Sequence, residues 1–461
     1  MASRFQAPKG TFDILAGGTR TRERIEHVAR GLFDRAGYAR IETPIFEDTE
    51  LFERGVGGST DIVRKEMFTF EDLGGRSVTL RPEGTAPIAR AYLDHGMHKL
   101  PQPVKLWYMG PYFRHERPQA GRFRQFNQIG AEALGSESPL VDAELIMLLD
   151  ELLRELEVPG VALRLGSLGS PEAQASYREE LKAYLREHED ELAKDVRGRI
   201  DENPLRAFDS KDEGTRAVMA EAPTMLERLD ADDAEHFAAV RRLLDQAGIV
   251  YELDGTLVRG LDYYTRTVFS FECDRLGAQS EIGGGGRYDR LMEELEGPPV
   301  PAAGWAAGVE RILLVLGDEH EIQPHDVFVA AEDGQRERAL ALVTELRHAG
   351  LRAEIDLADR SLKGQMRQAD RLGAVHVVIL DSEMPVLDGP AMARLMFLHD
   401  HGMEDVPIVL SSGALSLPAV ARELGTPYAL SKPYRYEALS RMMQRALVEK
   451  VAPTPMGAAP E

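Results

Sequence analysis

The residues best suited to chemistry lie between Phe113 and Gln128, where Arg114, Arg117, Arg122 and Arg124 are interleaved with His115, Glu116, Gln119, Phe123 and Phe126. Arginine presents a planar fork of donors matched to phosphate and carboxylate oxygens, so four of them this close together predict a cradle for a polyanion. Pro118 and Gly121 interrupt the run, and apolar stretches that alternate like strands flank it. The pattern predicts strand, loop, strand, with all four guanidiniums directed at one place. A solvated charged turn is the plainer alternative, but ordinary turns rarely carry Arg, His, Gln and Phe together.

Five other stretches carry polar groups in positions that require partners. Glu83 and Thr85 follow the strand-like Val78–Arg81, and a carboxylate beside a hydroxyl suits an ammonium group, although Thr85 could equally cap a helix. Gln128 and Glu132 are four apart, so the two-residue period of a strand puts them on one face. Polar groups on an apolar strand face are costly unless paired, which fits a small polar ligand. Leu257–Phe269 contains Arg259, Asp262, Tyr263 and Tyr264. Gly283–Gly286, followed by Arg287-Tyr288-Asp289, reads as a turn into a helix whose glycines let backbone approach a ligand. Gly304–Leu314 reads as a strand running into a buried helix, where Arg311 needs an anion: Glu310, another acid or a phosphate.

Elements must position these groups. Ile25, Val28, Ala29, Leu32 and Phe33 recur at helical spacing and predict a helix over Arg20–Gly37, after an extended lead-in, with Gly37 as its C-terminal cap. Arg40–Glu47 reads as a strand broken by Pro44, hence an edge: a dimer seam, or a covered edge in a monomer. From Ser170 to about Gly248 a helical insertion is expected. Ser170-Pro171-Glu172 starts its first helix, Tyr177, Leu181, Tyr184 and Leu185 form the apolar stripe, and Asn203-Pro204 breaks the run.

The chain has 461 residues, 43% hydrophobic and 29% charged, as in a soluble globular protein with several domains. No apolar run approaches the length of a spanning helix, and no signal-peptide pattern opens the chain, so a cytoplasmic protein is expected. The single cysteine, Cys273, excludes an internal disulfide framework and a cysteine-rich zinc site. A net charge of -22 argues against a generic nucleic-acid binder, while leaving room for a local basic groove. No metal site built from protein ligands is evident.

Taken in order, these stretches resemble one family closely: histidyl-tRNA synthetase, a class II aminoacyl-tRNA synthetase. The likeness runs over about residues 5–380. The segment around Pro44 resembles the first class II motif, Phe113–Glu132 the second and Gly304–Arg311 the third. Leu257–Phe269 and Gly284–Asp289 resemble the two signatures peculiar to the histidine enzyme. The resemblance implies an α+β catalytic domain, residues 1–323, built on an antiparallel sheet with flanking helices and interrupted by the insertion. It implies a cytoplasmic homodimer that activates histidine with ATP and Mg2+ and charges tRNA(His). By family position, Arg114 and Arg259 would be catalytic, on the α-phosphate and carboxylate. Arg114, Arg122, Phe126 and Arg311 would hold ATP, with Phe126 against the adenine and Arg311 at the γ-phosphate. Histidine would be bound by Glu83, Thr85 and Gln128 at the amino group and by Glu132 and Tyr264 at the imidazole, with Arg259, Tyr263 and Arg287 completing the pocket.

From Pro324 an α/β pattern begins, expected to form a doubly wound domain over 324–450 with a disordered tail over 451–461. Strands at Val327–Ala331, Leu351–Leu357 and Ala374–Leu380 alternate with helices ending at His348 and Leu372. To Leu380 the pattern resembles the family's anticodon-binding domain. Beyond it, Asp381–Gly389, Pro407–Gly413 and Ser431–Tyr434 resemble the turns of a response-regulator receiver. That resemblance implies a phosphoacceptor site of Asp381, the acidic pair Glu332 and Asp333, the switch hydroxyl Ser412 and Lys432, served by a sensor kinase. Such turns fall at strand ends in doubly wound sheets, where those folds place their sites. The change of pattern puts anticodon reading in question. Two further readings stand beside the enzyme: a catalytically silent synthetase-like regulatory subunit, and a synthetase–receiver fusion regulated by phosphorylation.

Overall fold

A computed structural model of the chain describes residues 5–58, 60–201, 203–257, 261–277, 280–317, 325–331, 336–348, 350–374, 378–381, 408–412, 417–423, 425–431, 436–449 and 451. It divides into two compact units, Met1–His320 and Glu321–Glu461.

The first unit opens with helix α1 (Ala16–Ala36), which starts four residues before the expected Arg20 and has no side-chain cap at its entry. It ends as expected at Gly37, in the left-handed conformation at φ 75°. The predicted strand around Pro44 is two short pieces in different sheets, β1 (Ala39–Arg40) and β2 (Phe46–Asp48). After α2 (Thr49–Gly55) come β3 (Phe68–Glu71), β4 (Ser77–Leu80) and α3 (Thr85–Asp94). The predicted arginine hairpin is present: β5 (Val104–Phe113) and β6 (Gln125–Leu134) pair antiparallel along their whole length around the 114–124 loop. Then follow α4 (Pro139–Glu155) and β7 (Val161–Ser167).

The insertion is helical, as its pattern predicts. Its helices are α5 (Pro171–Glu187), α6 (Lys194–Arg197), α7 (Glu213–Ala220) and α8 (Ala231–Gln246). The Ser170 side chain accepts from the Ala173 N–H at 3.2 Å and caps α5. Tyr177, Leu181 and Leu185 are buried with Ile200, Val218 and Met225 in a core of the insertion's own.

The chain returns through β8 (Glu252–Leu253), β9 (Thr265–Cys273), β10 (Glu281–Arg287), α9 (Leu291–Glu294), β11 (Ala302–Gly308) and α10 (Val309–Leu316). Eight strands form one sheet in the order β1-β5-β6-β11-β10-β9-β7-β8. Its six central strands are antiparallel as expected, but β1 and β8 add at the edges in parallel, so the sheet is mixed. One face packs on α1, α4, α8 and α10 through Phe33, Trp107, Leu149, Val240, Trp305 and Ile312. A smaller sheet, β2-β4-β3, leaves Phe46 and Phe70 exposed.

Gly283–Gly286 corrects an expectation. These residues are the buried interior of β10, not a turn. A Cβ at Gly283 would press on Ala307 of β11, so the missing side chains let neighbouring strands close up.

In the second unit, β12 (Val327–Val329) pairs in parallel with β13 (Ala353–Ile355), and α11 (Arg336–His348) lies between them in sequence. Helix α12 (Leu362–Arg371) follows. Strands β14 (Val378–Asp381), β15 (Ile408–Ser412) and β16 (Ala429–Ser431) form a second parallel set, with α13 (Leu417–Glu423) before β16 and α14 (Tyr436–Glu449) after it. The alternation matches the α/β pattern. Asp381 and Ser412 fall at the carboxyl ends of neighbouring strands. Glu332, Asp333 and Lys432 lie outside the described residues.

Candidate active site

A cleft of ≈ 310 Å³ opens over the central sheet, lined among others by Glu83, Thr85, Arg114, Arg122, Phe126, Gln128, Tyr263, Tyr264, Glu281 and Arg311. Residues more than two hundred positions apart in sequence thus converge. Strand β6 supplies one wall: its two-residue period puts Phe126, Gln128, Gly130 and Glu132 on one face. Gly130 is bare for a reason, since a Cβ there would run into the Tyr108 ring of β5.

Glu132 lies beneath the cleft floor with no exposure. Thr85 Oγ1 donates to its Oε1 at 3.0 Å, Tyr108 Oη donates to the same oxygen at 3.2 Å, and Tyr288 Oη donates to Oε2 at 2.6 Å. Room for this carboxylate comes from Gly304, its direct neighbour on β11, where a Cβ would fall inside the carboxylate. Burial lifts the Glu132 carboxyl from 4.5 to about 8, outweighing the hydroxyl donors that pull it down. The folded chain therefore keeps a proton between those values that an unfolded chain has lost. Stability from the protonated form is complete below about 4.5 and is lost as pH rises through about 8. The melting temperature of Glu132→Gln, relative to wild type, is expected to be higher at pH 8.5 than at pH 5. Calorimetry showing a gap independent of pH would contradict this.

Glu83, not Thr85, caps α3. Its carboxylate accepts from the N–H groups of Thr85 at 2.7 Å and Ala86 at 2.9 Å, while burial raises its pKa. Thr85 thus has its hydroxyl free of capping duty and commits it to Glu132. Gln128 Oε1 is buried and has no hydrogen-bond partner among the described residues.

The four arginines of the loop separate. Arg114 and Arg122 line the cleft, Arg124 turns its Nε to the Glu116 carbonyl at 3.3 Å, and Arg117 is exposed. The expectation that all four converge is therefore corrected, because the loop's own carbonyls and the preceding segment claim some of them. Arg114 donates through Nε to the Pro82 carbonyl at 2.8 Å and lies 5.4 Å from the Phe126 ring centre. Arg122 meets Glu116 at 3.0 Å. Arg311, on α10, donates to the Glu281 carbonyl, and burial lowers its pKa. Glu310 is not its partner: that carboxylate accepts from Arg22 at 2.9 Å and from the Asn127 backbone at 2.8 Å.

Arg287 is a further correction. It has no exposure and does not line the cleft. Its guanidinium binds Asp142 on α4, the carbonyls of Ser136 and Ser138, and Asp289. A buried cation must be paired, and here the protein itself supplies every partner. Arg259 lies outside the described residues.

Tyr108 and Tyr288 were not singled out in the sequence. For Tyr288 the signal was the strand period, which puts it with Gly284 and Gly286 on the face opposite Arg287, but it is hidden once the glycines are read as a turn. Tyr108 looks like any apolar strand residue.

The family model described as histidyl-tRNA synthetase matches residues 10–312. The chain belongs to the histidyl-tRNA synthetase family. An anticodon-binding domain model matches residues 318–384. A histidine–tRNA ligase of Rubrobacter xylanophilus is 50% identical over 389 residues, covering 82% of this chain and 92% of the relative. One from Thermosynechococcus vestitus is 46% identical over 392 residues, covering 84% and 91%. The apo crystal structure of Staphylococcus aureus histidyl-tRNA synthetase superposes with a TM-score of 0.67 at 37% identity, covering 80% of this chain and 90% of that one. Membership in the synthetase family favours the enzyme over the silent regulatory subunit. Among the described residues no helix is long and apolar enough to cross a membrane.

Proposed function

We propose that this cleft activates histidine with ATP and that the protein then transfers the histidyl group to tRNA(His). One observation carries the reading: the cleft offers a wall of acceptors beside a wall of guanidiniums. When Glu132 is ionised it takes the single protons of Thr85 and Tyr108, so both hydroxyls turn lone pairs toward the cleft. With Gln128 Oε1, these acceptors suit the N–H groups of an ammonium or imidazole. Tyr264 stands beside them in the lining.

Arg114, Arg122 and Arg311 face the phosphates in this reading, and Arg259 would join Arg114 at the α-phosphate. The histidine carboxylate attacks the α-phosphorus as the bond to pyrophosphate breaks. Preplaced guanidiniums stabilise the charge that grows on the phosphate oxygens, and no protein nucleophile is needed. Phe126 supplies a flat apolar surface for adenine. Glu281 lines the cleft near Arg311, and its hard oxygens fit magnesium, which would be held mainly by phosphate and water. When bound, that ion spreads the triphosphate charge. The exposed Phe46 and Phe70 on the small sheet support a homodimer seam.

Histidine-dependent ATP–pyrophosphate exchange tests activation, and charging of tRNA tests transfer. Exchange that does not depend on histidine would refute the reading.

The receiver likeness supports a second reading for the C-terminal unit, because Asp381 and Ser412 end adjacent parallel strands. Acetyl phosphate with magnesium is expected to add one phosphate to wild type and none to Asp381→Ala, by intact mass. An unmodified wild type excludes a phosphorylated receiver and, with it, a sensor-kinase partner.

A further inference from the structure

We propose that the helical insertion sets the amino-acid pocket through a buried two-point clamp, in which Gln174 and Asp233 act as positioning residues. The inference rests on the histidine-activation reading and concerns how the Tyr263–Tyr264 edge of that pocket is held.

Strand β9 begins just after these tyrosines, and its start is irregular. Arg287 of β10 pairs with Thr265 while Gly286 pairs with Val268, so β9 carries extra residues at this point. Arg266 sits within that bulge at φ 45°, left-handed backbone that a non-glycine residue adopts only when its surroundings enforce it. Bulges beside sites re-aim the side chains next to them. What enforces this one comes from the insertion and its root. Arg266 N–H donates to the Gly169 carbonyl at 2.8 Å, and Leu168 N–H donates to the Arg266 carbonyl at 2.7 Å. The Arg266 Nε donates to Asp233 Oδ1 on α8 at 3.1 Å. Asp233 is 1% exposed, and its other oxygen accepts from Ser170 N–H, the cap of α5.

The second point acts on Tyr264 itself. Gln174, on the first turns of α5 and buried, donates from Nε2 to the Tyr264 carbonyl at 3.0 Å. Tyr264 lines the cleft, packs its ring against Tyr263 at 4.7 Å, and is thus held from behind by a helix that does not itself line the cleft. Two helices that share the insertion, α5 and α8, therefore converge on three consecutive residues, Tyr264–Arg266. Nothing in the catalytic steps uses Gln174 or Asp233, and burying an amide and a carboxylate there is costly unless their geometry matters.

The test is pyrophosphate exchange with full-length Gln174→Met and Asp233→Asn, with unfolding temperature measured alongside. Met keeps the volume of Gln but cannot donate. The clamp predicts a KM for histidine raised at least tenfold in each variant, with KM for ATP within twofold of wild type. Arg266→Lys, which keeps a cation for Asp233, is expected to retain more histidine affinity than Arg266→Ala. An unchanged KM for histidine in a folded Gln174→Met overturns the clamp, as do equal rises in both KM values, which mark a purely structural role. If Gln174→Met fails to fold, the Lys and Ala variants at 266 decide the matter: equal KM for histidine overturns it. Wild-type exchange without histidine dependence would instead fail the activation reading, so the two failures are distinct.

Discussion

Glu132→Gln, assayed above pH 8 where the wild-type carboxyl is ionised, is expected to lower kcat/KM for histidine by about 100- to 1,000-fold while leaving KM for ATP within about twofold. The carboxylate accepts from Thr85, Tyr108 and Tyr288 at once. Glutamine offers one oxygen and one NH2, so at least one hydroxyl loses its acceptor and meets a donor instead. With the NH2 at the Oε1 position the Thr85 and Tyr108 hydroxyls must rotate, and they then point their protons at the cleft where acceptors stood. An ammonium or imidazole N–H docked there finds repulsion in place of a hydrogen bond. The side chain is nearly isosteric, so folding is spared. Exchange assays over a range of histidine concentrations measure the effect; wild-type kcat/KM would remove Glu132 from the pocket's chemistry.

Gly304→Ala is expected to do comparable damage with a single methyl group. That methyl would occupy the space of the Glu132 carboxylate and crowd the Ala131 carbonyl as well, at 2.8 Å. Lateral relief is blocked, because β6 and β10 flank β11 on both sides. Overpacking of this kind costs about 1–3 kcal/mol. It also displaces the carboxylate from its three hydroxyls, so exchange should fall by more than about 100-fold on the same argument from unpaired polar groups. Denaturant unfolding and exchange, measured on one preparation, separate the two losses. A stable Gly304→Ala with normal exchange would show that Glu132 can relocate freely.

Much of this was legible in the chain because the signals are local. The arginine hairpin, the Gly37 cap, the Ser170 cap and the helix after Gly304 each rest on residues within a few positions of one another. What stayed hidden depends on distant partners. Arg287 looked like a ligand-binding cation because Asp142, its counter-ion, lies on a helix formed 145 residues earlier. The four glycines looked like a turn because a glycine strand is specified by how closely β11 approaches, which no local pattern records. Thr85 looked like a cap because its hydroxyl is claimed by Glu132, 47 residues further on, which leaves the capping to Glu83. Tyr108 and Tyr288 were passed over for the opposite reason: a tyrosine in a strand reads as apolar packing until the carboxylate it serves is known.

The insertion's separate apolar interior has a consequence for how such a chain can change over generations. Leu181, Leu185, Ile200 and Val218 pack with one another and not with the sheet. Drift there can alter the outer contour of α5–α7, while the chemistry at the sheet is left alone so long as the amide at its root, the carboxylate on α8 and the face α8 packs on the sheet are kept. Diversity can accumulate on that lobe in a way that the glycine-lined strands forbid.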